Sequence, residues 1–175
     1  MIKKACHSVD WDLIEAYVHK PLTLETILEL QALCVEAGII KGFRTGIGAP
    51  PVYDTFGNSV YWAPDSGFYH LDREVENIFD WCDQDNSAVG KATRFHWGLV
   101  KIHPFYDGNG RTARMIMFIL LRQYGYDQVS CKRLEAWIKN NTAEYYQSLD
   151  DGDFTYRGLK NENKAFRDLV EQGLK

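Results

Sequence analysis

The sequence predicts a mainly α fold: a helical bundle around one central buried helix, with a single β-hairpin lying on the helices. Three observations carry this. Apolar residues recur at helical spacing through most of the chain. The run Met115-Ile-Met-Phe-Ile-Leu-Leu121 is apolar on every side, as a helix enclosed by protein must be. Only Gly42 to Gly67 breaks the helical pattern, with β-branched and aromatic residues, three prolines and five glycines.

The elements follow in order. Trp11, Ile14, Glu15 and Val18 suggest a short helix within residues 1–20. Thr23 to Ala37 places Leu24, Ile27, Leu28 and Cys34 at helical spacing, with Thr23 as N-cap and Gly38 as the stop. Val52 to Phe56 and Ser59 to Trp62 flank Gly57-Asn58, a pair suited to a tight hairpin. A lone hairpin is marginal in water, so it must rest on the helices or serve as a flap. Asp72 to Cys82 puts Val75, Ile78, Phe79 and Cys82 on one face, with Asp72 as N-cap. Ser87 to Ile102 repeats the pattern, and Pro104 enforces its end. The central helix starts within Gly108-Asn109-Gly110-Arg111 and ends before Gly125. A single helix is expected over Ser130 to Leu149. Beyond Asp153 only a weak pattern remains, in Phe166, Leu169 and Val170.

With 175 residues, the chain suits one domain over 1–175, with a core region at 23–149 and flanking helical segments at 1–20 and 153–175. Apolar residues make up 45% and charged residues 25%, which excludes a disordered or collagen-like chain. Twenty basic against 24 acidic residues leave a charge of −4, so no electrostatic footprint for nucleic acid exists. No apolar run approaches the ~18 residues of a membrane span, and no signal peptide follows Lys3 and Lys4. Cys6, Cys34, Cys82 and Cys131 form no C-x-x-C pair and read as buried thiols of a reducing compartment, hence a cytoplasmic protein.

Chemistry concentrates in His103-Pro104-Phe105-Tyr106-Asp107-Gly108-Asn109-Gly110-Arg111-Thr112-Ala113-Arg114. Backbone N–H groups of a Gly-rich loop at a helix start form an anion site. Gly108 and Gly110 let the backbone approach a phosphate. Arg111 and Arg114 share one face of the first helical turn and suit a polyphosphate. Asp107 beside that nest would repel phosphates unless a cation intervenes, which points to Mg²⁺. His103 is the side chain here that titrates near neutrality and suits proton abstraction from an attacking hydroxyl. A polar helix cap with a satisfied histidine would explain any one of these residues alone. Their clustering in one loop favours a nucleotide-phosphate site with a general base.

This segment resembles the signature of the Fic family, H-x-F-x-[D/E]-G-N-G-R-x-x-R, at all eight specified positions. His96 to Ile102, Gly42-Phe43-Arg44 and Tyr145-Tyr146 are similar to family features as well. The resemblance covers roughly Thr23 to Leu149. It implies a helical fold with the hairpin as a flap over the active site, and transfer of AMP from ATP to a protein hydroxyl. By position, His103 is then the base and Asp107 the Mg²⁺ ligand. Gly108, Asn109 and Gly110 form the phosphate cradle. Arg111 and Arg114 bind the polyphosphate, with Arg114 assigned the γ-phosphate, and Phe105 anchors the loop. Val60, Tyr61 and Trp62 of the flap would pair with an extended target segment. Tyr145 and Tyr146 either lie near the adenine or belong to the core.

Other residues read more plainly. His96 is a packed, hydrogen-bonded histidine, and no H-x-x-x-H spacing supports zinc. Gly46-Ile47-Gly48 is loop punctuation. Trp81, Trp97 and Trp137 are core, and Asp150, Asp151 and Asp153 form a solvated turn. The family's inhibitory spacing, [S/T]-x-x-x-E-[G/N], does not occur in this sequence. The resemblance therefore implies a separate inhibitor protein, one encoded elsewhere in the gene, or a degenerate helix. Alternative activities on the same scaffold are transfer of UMP, phosphocholine or a phosphoryl group, and removal of AMP from a target. The phosphoryl-transferring Doc-like branch departs from the G-N-G-R pattern that is intact here. A non-catalytic binding module is opposed by the intact His103, Asp107, Arg111 and Arg114.

Overall fold

The computed structural model describes residues 8–45, 52–53, 59–61, 70–150 and 163–175. Most helices begin at a side chain that accepts from the first turn, the arrangement that satisfies otherwise orphaned N–H groups. α1 (Trp11–Tyr17) starts at Asp10, which accepts from Leu13 N. α2 (Leu24–Cys34) starts at Thr23, which accepts from Thr26 N. β1 (Val52–Tyr53) and β2 (Ser59–Tyr61) pair antiparallel, Val52 opposite Tyr61 and Tyr53 opposite Ser59. The expected Gly57-Asn58 turn, Trp62 and the Gly46-Ile47-Gly48 loop lie outside the described residues.

α3 (Leu71–Asp83) departs from expectation at its start. Asp72 does not cap it. The helix begins one residue earlier, after His70, with no side-chain cap. Leu71 is buried, and bringing it into the core requires the helix to include it. Asp72 sits in the first turn, where its charge complements the helix dipole. α4 (Ala88–Ile102) starts at Ser87, whose hydroxyl accepts from Gly90 N. α5 (Asn109–Gln123) carries the apolar run.

The helix expected over 130–149 is two helices. α6 (Gln128–Asn140) starts from Asp127, and α7 (Thr142–Asp150) follows after one residue. That residue, Asn141, has φ −122° and ψ 44° and donates from its side chain to Trp137 O at 2.9 Å. Such a local side-chain bond competes with the helical ladder and stops it. α8 (Lys164–Leu174) realises the weak C-terminal pattern, with Phe166, Leu169 and Val170 buried. Asp151 and Asp153 lie outside the described residues.

α5 is the axis. Ile116, Met117, Phe118, Ile119 and Leu121 are at most 1% exposed. α4 packs most extensively on α5, and α1, α2 and α6 also touch it. α3 packs on α4, while α8 holds α4, α6 and α7 together. Trp81 and Trp97 are buried side by side at 5.9 Å, and Trp137 packs at the core's margin. Burial pushes the Cys82 and Cys131 thiols up to about 12, which leaves them unreactive. Among the described residues no helix is long and apolar enough to cross a membrane. Because α4 and α5 are antiparallel neighbours in sequence, the loop 103–108 brings the end of one to the start of the other. That junction is where the chemistry lies.

Candidate active site at the α4–α5 junction

His103 closes α4. Its N–H donates to Leu99 O at 2.9 Å, and its backbone is left-handed, φ 50° and ψ 57°. It is the non-glycine residue with positive φ among those described. Pro104 disfavours continued helix at the preceding position, so the chain turns out here. A left-handed histidine costs on the order of 1–3 kcal/mol and persists only where neighbours over-determine it. They do so here. Arg44 Nε donates to His103 O at 2.8 Å, and Arg44 N donates to Pro104 O at 2.9 Å. Phe43 and Phe105 form an antiparallel bridge with stacked rings 5.6 Å apart. Thr45 N donates to Tyr106 Oη at 2.9 Å. Residues 43–45 are thus laid strand-like along the loop.

His103 is 5% exposed. Its Nδ1 lies 3.3 Å from Val100 O. A carbonyl only accepts, so Nδ1 carries the proton and the basic lone pair belongs to Nε2. Burial pushes the imidazole down to about 4. The Val100 carbonyl and the Asp107 charge oppose that shift, and the Arg44 charge adds to it. His103 is therefore neutral at pH 7.

Asp107 and Arg111 form a salt bridge at 2.7 Å, with side chains 46% and 31% exposed. The Asp107 carbonyl is tied down separately. Gln31 Nε2 donates to it at 3.1 Å, and Gln31 Oε1 accepts from Gly42 N at 3.0 Å. Gln31 is fully buried and joins the loop to the segment leading toward the hairpin. The sequence reading missed it. The available signal was a glutamine four residues after Ile27, on the apolar face of α2.

Gly108 caps α5 at φ 84°, and a Cβ there would lie 2.9 Å from Val35 Cγ1. Both backbone angle and space call for glycine. After it, the first N–H groups of α5 have no intrahelical acceptor and form the positive end of the helix. Among the described residues, a Cβ on Gly110 would meet the Arg114 side chain at 3.5 Å. Asn109, expected in the phosphate cradle, uses its amide otherwise. Oδ1 accepts from Phe105 N at 2.9 Å, and Nδ2 donates to Phe105 O at 2.8 Å. It clamps the loop across its own turn. Phe105 is fully buried, as an anchor should be.

Arg114 is 3% exposed and donates from Nη1 to Tyr145 Oη at 3.3 Å. Tyr145 is 1% exposed, so its ring has no open face for an adenine. Its hydroxyl lies 3.0 Å from His96 Nε2. His96 is buried and hydrogen-bonded, as its sequence context suggested. Tyr146 is half-buried, its ring edge-on to Tyr145 at 5.3 Å. Val60 and Tyr61 lie in β2, which approaches α7.

Among the described residues no three His, Cys, Asp or Glu side chains gather as a metal cluster. Magnesium bound chiefly through phosphate oxygens needs only one or two carboxylates. Asp107, half-exposed beside the head of α5 and held at its backbone, fits that donor set.

A family model described as the Fic/DOC family matches residues 21–121. "Protein adenylyltransferase fic-1" of Caenorhabditis elegans is 28% identical over 141 residues, covering 75% of this chain and 24% of that protein. "Protein adenylyltransferase Fic" of Drosophila grimshawi is 42% identical over 69 residues, covering 38% of this chain and 13% of that protein. This chain thus spans about a quarter or less of these relatives. Among solved structures, a Fic family protein from Desulfovibrio desulfuricans G20 superposes with a TM-score of 0.60 at 20% identity. That match covers 92% of this chain and 50% of the other, and it shows a shared fold.

Proposed function

This chain belongs to the Fic/DOC family, and on that footing we propose that it transfers AMP from ATP to a Ser, Thr or Tyr hydroxyl of a target protein. One observation carries the reading. A single loop holds a neutral histidine, with its basic lone pair on Nε2, beside a helix N-terminus furnished with two arginines. A base and an anion cradle in one rigid turn suit attack by a hydroxyl on a phosphate.

The target hydroxyl oxygen forms a bond to the α-phosphorus of ATP. Its proton passes to His103 Nε2. The bond from the α-phosphorus to the bridging oxygen breaks, and pyrophosphate leaves with the electron pair. The backbone N–H groups of Gly108, Asn109 and Gly110, with Arg111 and Arg114, hold the triphosphate, and Arg114 meets the γ-phosphate. Mg²⁺, held by Asp107 with phosphate oxygens, would neutralise charge on the triphosphate. Arg111, now on Asp107, is released to phosphate when the nucleotide arrives. Positioning and charge stabilisation supply most of the acceleration in such transfers. The base contributes about 10²–10⁴-fold. The hairpin around Val60, Tyr61 and Trp62 acts as the flap that takes up an extended target segment. We propose a cytoplasmic location, in keeping with the scattered cysteines, which form no C-x-x-C pair.

The test is intact-protein mass spectrometry after incubation with Mg-ATP and a cell extract, for the wild type and His103→Ala. The expected result is a mass gain of one adenylyl group on a protein substrate or on the chain itself, absent in the variant. Equal labelling by His103→Ala refutes the assignment of the base. A gain of one phosphoryl group refutes AMP transfer. UTP, GTP and CDP-choline in place of ATP test the other transferred groups.

A further inference from the structure

Arg114 is held from beneath by a row of buried polar groups. Its Nη1 donates to Tyr145 Oη at 3.3 Å, and that oxygen lies 3.0 Å from His96 Nε2. A guanidinium has donors only, so Tyr145 accepts from Arg114. Tyr145 Oη and His96 Nε2 share a second hydrogen bond, whose direction follows the His96 tautomer. Burial, with the Arg114 charge acting in the same sense, holds His96 well below its ordinary range and keeps the ring neutral. Phe166 of α8 packs on the imidazole at 4.7 Å, and on the Tyr145 ring at 6.1 Å. The guanidinium also sits 5.9 Å from the centre of the Tyr145 ring.

We infer that Tyr145, oriented by His96, is a positioning residue that aims the Arg114 guanidinium at the terminal phosphate of the bound nucleotide. The inference rests on the reading of Arg114 as the γ-phosphate partner. An arginine side chain carries about 2 kcal/mol of rotamer entropy. Committing one Nη–H to a fixed hydroxyl removes much of that freedom before the nucleotide binds. Affinity then depends on pre-organisation as well as charge. The row also explains why helices beyond the matched region 21–121 bear on the site. α7 supplies the hydroxyl, and α8 supplies the ring that backs the histidine.

The test compares calorimetric affinities for Mg-ATP and Mg-ADP, which differ only in the γ-phosphate. The proteins are the full chain and its Tyr145→Phe, His96→Gln, Arg114→Ala and Tyr145→Phe/Arg114→Ala variants. Tyr145→Phe keeps the ring and deletes the hydroxyl. It is expected to weaken ATP binding about tenfold and ADP binding by less than about twofold, since one buried charge-assisted bond is lost. His96→Gln, which retains a hydrogen-bonding group near Nε2, is expected to stay close to wild type. The double variant is expected to match Arg114→Ala alone, because both substitutions act through one group. Equal losses for ATP and ADP in Tyr145→Phe would mark a merely structural role and overturn the inference. So would an effect that adds fully to that of Arg114→Ala. If Arg114→Ala itself leaves the ATP-to-ADP ratio unchanged, the γ-phosphate reading falls and takes this inference with it. If Arg114→Ala changes the ratio and Tyr145→Phe does not, the inference alone falls. Where Tyr145→Phe does not fold, His96→Leu removes the hydrogen-bond partner of the Tyr145 hydroxyl instead. A roughly threefold fall in the ratio supports the inference and no change overturns it.

Discussion

Replacing Asn109 with alanine separates two roles that a loop asparagine at a phosphate site can have. As a phosphate ligand, its amide would be open to the nucleotide, and its loss would weaken ATP binding with little effect on stability. As a clamp, its loss removes two bonds at once, to Phe105 N at 2.9 Å and Phe105 O at 2.8 Å. Phe105 is fully buried and Asn109 is 3% exposed, so water does not replace those partners freely. Each unsatisfied buried backbone group costs about 1–3 kcal/mol. Two of them give about 2–6 kcal/mol for Asn109→Ala, a large part of the ~5–15 kcal/mol that holds a typical domain together. At about 2–4 °C per kcal/mol for a chain of this size, Tm should fall by roughly 4–24 °C. Activity should fall as well, because the loop that carries His103 loosens with its anchor. Asn109→Asp keeps an acceptor for Phe105 N–H but sets a carboxylate against Phe105 O, and should be no better than alanine. Urea denaturation and differential scanning calorimetry check both variants. A destabilisation below about 0.5 kcal/mol for Asn109→Ala, together with weakened ATP binding, would refute the clamp.

Other expectations bear on charge and backbone. Between about pH 6.5 and 4 the unfolded chain binds a proton at His103 that the folded chain refuses, since the folded value is about 4 against 6.5. Stability is fully present above that window and is lost as pH falls through it, by about 3 kcal/mol for this residue. His96, shifted in the same direction, steepens the loss. Denaturation curves at pH 7 and 4.5 for the wild type and His103→Ala check this, and parallel losses in the two proteins would count against it. Gly108→Ala meets both φ 84° and Val35 Cγ1 at 2.9 Å, and should cost about 1–3 kcal/mol. Adding Val35→Ala should relieve only the steric share, as thermal melts of the single and double variants would reveal. Asp107→Ala removes a half-exposed ion pair and should change stability by less than about 1 kcal/mol. It should nonetheless abolish Mg-ATP-dependent transfer, measured in the mass assay.

Much of the fold was legible in the sequence, because its signals are local. The all-round apolar run of α5, the Thr23 cap and the stop at Pro104 each depend on a few adjacent residues. Errors fell where distant packing outweighed a local cue. Asp72 reads as a cap, yet burial of Leu71 moves the start of α3. The periodicity over 130–149 hides a break at Asn141, where one side-chain bond to Trp137 O outweighs continued helix. In the site, residue types and spacing singled out the loop with its histidine, carboxylate and two arginines. They did not reveal how the loop is held.

The linear order determined that a histidine, a carboxylate, a glycine-flanked asparagine and two arginines fall within twelve residues at a helix start. That settles which chemistry is available, because residue type governs acid–base and anion-binding capacity. Only the tertiary structure decided what each group does. Gln31 and Arg44 reach the loop from 76 and 59 residues away in the chain. Tyr145 and His96 meet Arg114 across three helices. The physical reason is that a buried polar group must find a partner wherever the packing of helices puts one. That search runs through space, and no spacing along the chain encodes it.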